Sequence, residues 1–84
     1  MMIRVDLYSK DDCHLCDVAI DQMKKIRNRC SLDLHIIKIR EGDSHFEEFK
    51  ERIPIAFLNG ELLFQYRVHE KEVIDLLERA SLVL

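Results

Sequence analysis

The apolar residues of the first 39 positions change period twice, and that double change restricts the available folds more than any other feature. Across residues 2–8, Ile3, Val5 and Leu7 alternate with Arg4 and Asp6, the two-residue repeat of a strand with one buried face. From Cys16 onward the apolar positions are Cys16, Ala19, Ile20, Met23, Ile26 and Cys30, with Asp17, Asp21, Lys24, Lys25 and Arg27 between them. That is the repeat of an amphipathic helix, and Asp11 or Asp12 stands where a cap for its start is expected. Residues 32–39, LDLHIIKI, return to a short segment rich in β-branched side chains, a second strand. Strand, helix and strand in so short a span predict a right-handed parallel βαβ unit.

The second half continues the pattern. Ser44-His45-Phe46-Glu47 has the spacing of a capping box, and Phe46, Phe49 and Ile53 fall on one face of a short second helix. This helix must stop before Pro54, because a residue preceding proline disfavours the α conformation. Asn59-Gly60 sits between two β-prone runs, residues 55–58 and 61–66, and both turn positions tolerate the positive φ that a tight hairpin needs. Residues 70–80 carry Val73, Ile74, Leu76, Leu77 and Ala80 on a broad stripe, a third helix. The expected order is β-α-β-α-β-β-α. With no linker, repeat or low-complexity tract, residues 1–84 are expected to form a single α/β domain.

Charge and hydropathy remove several classes of function. Thirteen Lys and Arg face 16 Asp and Glu, a net charge of -3 with no basic cluster, so a nucleic-acid partner is not expected. The longest apolar run, residues 55–58, is far below the ~20 residues of a membrane span. Arg4 and Asp6 interrupt the place where a signal peptide would carry its apolar core. A cytoplasmic protein with no membrane partner is expected, and in that reducing compartment three cysteines point to catalysis or metal binding rather than a structural disulfide framework.

Cys13 and Cys16 stand two residues apart in SKDDCHLCDVAI, between the first strand and the first helix. This order sets Cys13 on the opening turn of the helix, where unpaired amides and the positive end of the helix dipole favour a thiolate. The pKa of thiols so placed falls from ~8.5 to between ~3.5 and ~7.5, which makes Cys13 a candidate nucleophile near neutral pH. Lys10 and a protonated His14 act in the same direction, and Asp11 and Asp12 oppose it. Cys16 lies one turn further on, within reach to attack a mixed disulfide on Cys13. A different class is also open: Cys13-x2-Cys16-x13-Cys30-x4-His35 has the ligand order of a small zinc module without redox turnover. Against it, one continuous helix would hold Cys13 and Cys30 about 25 Å apart.

Three stretches together resemble the glutaredoxins and their thioredoxin-fold relatives. Residues 8–16, YSKDDCHLC, are similar to the family's Y-[ST]-K-x-x-C-x-x-C; Arg52-Ile53-Pro54 is similar to its T-V-P; and Asn59-Gly60 falls in the hairpin turn. The resemblance runs from the first strand to the last helix and is strongest to short bacterial glutaredoxin-like proteins with Cys-His-Leu-Cys. It implies a four-stranded mixed sheet with three helices and a dithiol–disulfide oxidoreductase without a bound cofactor. The implied partners are a disulfide-bearing protein or small molecule as substrate, and glutathione or a thioredoxin reductase as electron donor. It also implies roles for particular residues: Cys13 as nucleophile, Cys16 as resolving thiol, Lys10 as a partner for a glutathione carboxylate, Pro54 behind a cis peptide bond, and the Ile53 backbone as a pairing edge for the incoming disulfide. Where typical glutathione users carry Pro-Tyr, Thr, and Gly-Gly with a following Asp, this chain has His14-Leu15, Arg52, and Arg67-Val68-His69. Arg52, Arg67 and Lys71 offer charge to the same carboxylates. The family also includes members that share an iron–sulfur cluster between two chains, but a second nearby thiol favours disulfide exchange by a monomer.

The other candidates have ordinary readings. Cys30 continues the apolar stripe of the first helix and is expected to be a packing residue. His35 and His45 are expected at the surface or in packing, His69 as a cap before the last helix, and Tyr8 and Phe57 as core or groove-lining aromatics. An idle adaptor docking through the apolar tail Leu82-Val83-Leu84 would leave two intact thiols without a role.

Overall fold

The computed structural model describes residues 3–83, with side chains through residue 81. The expected order is present: β1 (Ile3–Ser9), α1 (His14–Arg27), β2 (Leu32–Lys38), α2 (Phe46–Phe49), β3 (Ile55–Leu58), β4 (Glu61–Gln65) and α3 (Glu70–Val83). The strands form one mixed sheet in the order β2-β1-β3-β4. β1 and β2 are parallel, with Ile3 opposite Leu32 and Ser9 opposite Lys38, and α1 supplies the crossover that a parallel pair needs. β3 runs antiparallel to both β1 and β4. The Asn59-Gly60 turn has φ of 48° and 89°, and the Asn59 amide and side chain both bond back to the Arg4 backbone.

The alternation in β1 divides the interior in two. Ile3, Val5 and Leu7 face α1 and α3, where Ala19, Met23, Ile26, Val73 and Leu77 close the larger cluster. Each fully buried side chain of this size contributes about 1.5–3 kcal/mol. A second cluster joins Phe49, Ile53 and Ile55 to Ile39 and Cys16, with Tyr8, Phe46, Phe57 and Cys13 packed around it. The N-terminal end of α1, with Cys13 and Cys16, therefore rests on this second, smaller core.

Four local expectations are corrected. α1 opens at His14, and the residue capping it is Cys13 itself rather than Asp11 or Asp12. Asp12 instead takes a left-handed turn, φ 55°, which Asp tolerates and which aims the chain into the helix. Cys30 lies beyond α1, in the turn where the Arg29 and Cys30 amides both bond the Ile26 carbonyl. It nonetheless packs half-buried against the larger cluster, as its spacing suggested.

The last two concern the second helix. The Ser44 capping box does not form: α2 is a single turn starting after His45, with no side-chain cap. The Asp43 carboxylate takes the Arg40 amide at 2.8 Å and the Asp43 carbonyl takes the Phe46 amide, so a tight turn centred on Asp43 uses one of the two amides a Ser44 cap could reach. Ile53 consequently lies outside α2, on the approach to Pro54. At the margins, Met2 of the first predicted strand and the Leu82-Val83-Leu84 side chains fall outside what is described.

Candidate active site

β1 ends at Ser9, and a three-residue loop of Lys10, Asp11 and Asp12 carries the chain to Cys13 at the N-cap of α1. The capping atom is a sulfur. Cys13 Sγ accepts the Cys16 backbone N–H at 3.2 Å, and the Cys13 carbonyl accepts the Asp17 N–H at 3.1 Å. An extended backbone, φ -120° and ψ 101°, turns this side chain back over the first helical turn, as the hydroxyl of a capping serine would be. The sulfur thus meets an unpaired amide directly, one position closer than the opening turn read from sequence.

Cys13 and Cys16 are joined in a disulfide, with Cα atoms 5.2 Å apart. Their surroundings differ sharply. Cys13 is partly open to solvent, whereas Cys16 is fully buried against Ile39, Phe49, Ile53 and Ile55. An attacking thiolate from outside can reach the first sulfur and not the second.

Charges around the pair are also ordered. Lys38 Nζ sits 3.1 Å from Asp11 and Arg40 Nε 3.9 Å from the same carboxylate, so one of the two loop acids is held by cations at and just beyond the end of β2. Lys10 and His14 are exposed on either side of Cys13. Behind the site, Tyr8, His45, Phe49 and Phe57 stack into an aromatic wall, with Tyr8 4.7 Å from Phe49 and 6.0 Å from Phe57 between ring centres. Burial, reinforced by the charges of Asp6 and Glu48, pushes the Tyr8 phenol above its ordinary range. His45 therefore takes part in packing, and its histidine identity reads as an edge of this wall.

The Ile53–Pro54 peptide is cis, as the resemblance implied, and Ile53 packs in the cluster that holds Cys16. The sequence reading overlooked Tyr66. It has φ 70°, donates its amide to the Pro54 carbonyl at 2.6 Å and its hydroxyl to the Glu51 carbonyl at 2.8 Å, and so fastens both ends of the Pro54 loop. A hydrophobic residue at the close of β4 signalled a strand end and nothing more. Tyr66 also lines a groove of about 280 Å³ with Leu15, Val18, Gln22 and Arg67, between the first half of α1 and the β4–α3 connection. Leu15, Val18 and Tyr66 are each 42–45% exposed there, large apolar side chains left uncovered.

The other sequence candidates are dispersed. Cys30 belongs to the larger cluster, His35 bonds the Asp33 carboxylate at 2.8 Å, and the His69 carbonyl accepts the Val73 N–H at the start of α3. Among the described residues no three His, Cys, Asp or Glu side chains converge as metal ligands. Arg52 lies over the Phe49 ring at 5.8 Å.

A sheet in the order β2-β1-β3-β4, with a Cys-x-x-Cys disulfide where β1 passes into α1 and a cis-proline loop packed on the same cluster, defines a thioredoxin-fold dithiol domain. Within that class the chain belongs to the glutaredoxin-like domain family (DUF836), whose model matches residues 4–78. It is similar in structure to a protein from Nitrosomonas europaea solved by solution NMR, at a TM-score of 0.77 and 19% identity over 92% of this chain and 93% of that one. Thioredoxin 1 from Thermosipho africanus aligns at a TM-score of 0.68 and 16% identity, covering 95% and 96% of the two chains. Thioredoxin-2 of a malaria parasite aligns at 0.62 and 18% over 93% of this chain and 82% of that one. At these identities the likeness establishes the fold.

Proposed function

We propose that the protein is a dithiol–disulfide oxidoreductase. The observation that carries this reading is the asymmetry of the pair, a half-open sulfur at a helix N-cap bonded to a buried one. In the reduced protein the Cys13 thiolate attacks a disulfide of a protein or small molecule. A bond forms between Cys13 and one partner sulfur, and the other partner sulfur leaves as a thiolate that takes a proton from water. Cys16, having lost its proton, then attacks Cys13, the Cys13–Cys16 bond forms, and the second partner sulfur departs. Two electrons have passed to the substrate. Glutathione or a thioredoxin reductase returns them in a cytoplasmic setting, with the protein acting as a monomer and holding no resident cofactor.

Arg67 on the groove wall supplies positive charge for a carboxylate-bearing donor such as glutathione, whereas Arg52 lies over the Phe49 ring and Lys71 lines a different hollow on α3. Lys10 is exposed on the loop before Cys13, where it meets a second carboxylate of the same donor. On this reading the backbone of Ile53, ahead of the cis bond to Pro54, pairs with the incoming disulfide. The test is turnover of a mixed glutathione disulfide with glutathione, and separately with thioredoxin reductase, as donor. Cys13→Ser should be inactive with both, and Cys16→Ser should accumulate a mixed disulfide on Cys13. Full turnover by Cys13→Ser would refute the assignment.

A further inference from the structure

Among the described side chains, Ser9 Oγ is the one buried polar atom without a hydrogen-bond partner. Ser9 is 1% exposed at the end of β1, directly before the active-site loop. A buried hydroxyl left unpaired is costly, so the position calls for an explanation.

Its neighbours supply one. Ser9 shares the β1 face of Ile3, Val5 and Leu7, the face covered by the buried stripe of α1, which reads Cys16, Ala19, Met23, Ile26. α1 returns antiparallel to β1, so Ile26 lies toward the Ile3 end and Cys16 toward the Ser9 end. One backbone contact agrees: the Ser9 carbonyl accepts the Ile39 N–H at 2.8 Å, which ties the end of β1 to the cluster that holds Cys16. The remaining members of that cluster are apolar except for Tyr8 and Cys13, which are its only titratable groups besides Cys16.

Building on the exchange reading above, we infer that Ser9 is a positioning residue that donates its hydroxyl hydrogen to the Cys16 sulfur once the disulfide is opened. In the oxidised protein the Cys16 sulfur is neutral and tethered to Cys13. Reduction frees it to turn about its Cα–Cβ bond, and as a thiolate it becomes a much stronger acceptor. Ser9 keeps its proton throughout; the Cys16 proton goes to solvent before Cys16 attacks the mixed disulfide on Cys13. The hydroxyl is unpaired in one redox state and paired in the other, so it favours the dithiol and readies the buried thiol for its attack.

The experiment compares wild type, Ser9→Ala and Ser9→Thr in glutathione redox buffers, counting free thiols by alkylation and mass spectrometry. In Ser9→Ala the disulfide should be about tenfold harder to reduce, equivalent to a potential about 30 mV more negative. Ser9→Thr, which keeps a hydroxyl, should stay within about threefold of wild type. In a Cys13→Ser background, the carbon NMR shift of the Cys16 β-carbon reports its ionisation, and adding Ser9→Ala should move that titration about one pH unit higher. This arm does not depend on the threonine variant folding. A serine with a purely structural role would alter the stability of oxidised and reduced forms alike and leave both readouts in place. Unchanged equilibrium and unchanged titration in Ser9→Ala overturn the inference alone, whereas a wild-type protein that forms no reversible disulfide overturns the exchange reading and the inference with it.

Discussion

Replacing Cys13 by serine and by alanine separates the two tasks of its sulfur. Both substitutions remove the disulfide and, on the proposed exchange reading, the nucleophile, so their stabilities compare directly. They differ at the helix start. Cys13 Sγ accepts the Cys16 N–H at 3.2 Å, the bond an N-cap hydroxyl makes to the third helical residue. Serine restores an oxygen acceptor at that place, and alanine leaves the amide to water. Ser-to-Ala changes at N-caps cost about 0.5–2 kcal/mol, and the partial burial of this cap sets the expectation at about 1 kcal/mol. For a chain of this size that corresponds to about 4–8 °C in melting temperature. Thermal melts and urea titrations followed by circular dichroism measure it under reducing conditions. Equal stability of Cys13→Ser and Cys13→Ala would show that no capping bond exists at residue 13. The same result would remove the physical ground for a thiolate there, since one amide is invoked for both.

Further outcomes follow from the packing and charge described above. Leu7→Ala, at the centre of the larger cluster, should cost about 2–5 kcal/mol in urea unfolding without altering the order of reactivity of the two active-site thiols. Tyr66→Phe should lose about 0.5–1.5 kcal/mol through the missing bond to the Glu51 carbonyl, and proteolysis of the segment before Pro54 should speed up with it. The double variant Lys38→Ala with Arg40→Ala frees the Asp11 carboxylate two residues before Cys13, so alkylation of reduced Cys13 should slow at low salt and recover above about 0.1 M, where screening reaches ~10 Å. Tyr8 titrates above its ordinary value, so the neutral phenol is favoured by folding. That contribution is complete below pH ~10 and is lost as pH rises from there through the raised folded value. Tyr8→Phe should flatten this alkaline loss of stability, read by melts across that window.

The legible part of the fold was periodic. Ile3, Val5 and Leu7 could bury one strand face only by alternation, the α1 stripe could cover it only at helical spacing, and Asn59-Gly60 left little choice of turn. Legibility failed where a few residues compete for the same donors. Ser44 had the spacing of a cap, yet the Asp43 turn took the Phe46 amide; Asp11 and Asp12 had capping chemistry, yet Asp12 was needed for the left-handed step and Asp11 pairs with Lys38 and Arg40. Tyr66 carried no signal, because its partners, the carbonyls of Glu51 and Pro54, are backbone atoms common to every residue.

Local sequence by itself determined the elements, their order and the placing of two thiols at a strand-to-helix junction, since those depend on side-chain period and on residues within one turn of each other. Tertiary structure decided which thiol faces solvent, which acid near it is neutralised, and that the Ser9 hydroxyl is sealed into the interior. Those properties belong to groups brought together from β1, β2, α1, α2 and the Pro54 loop. Distances between such groups are set by how the sheet and helices pack, and no spacing along the chain encodes them.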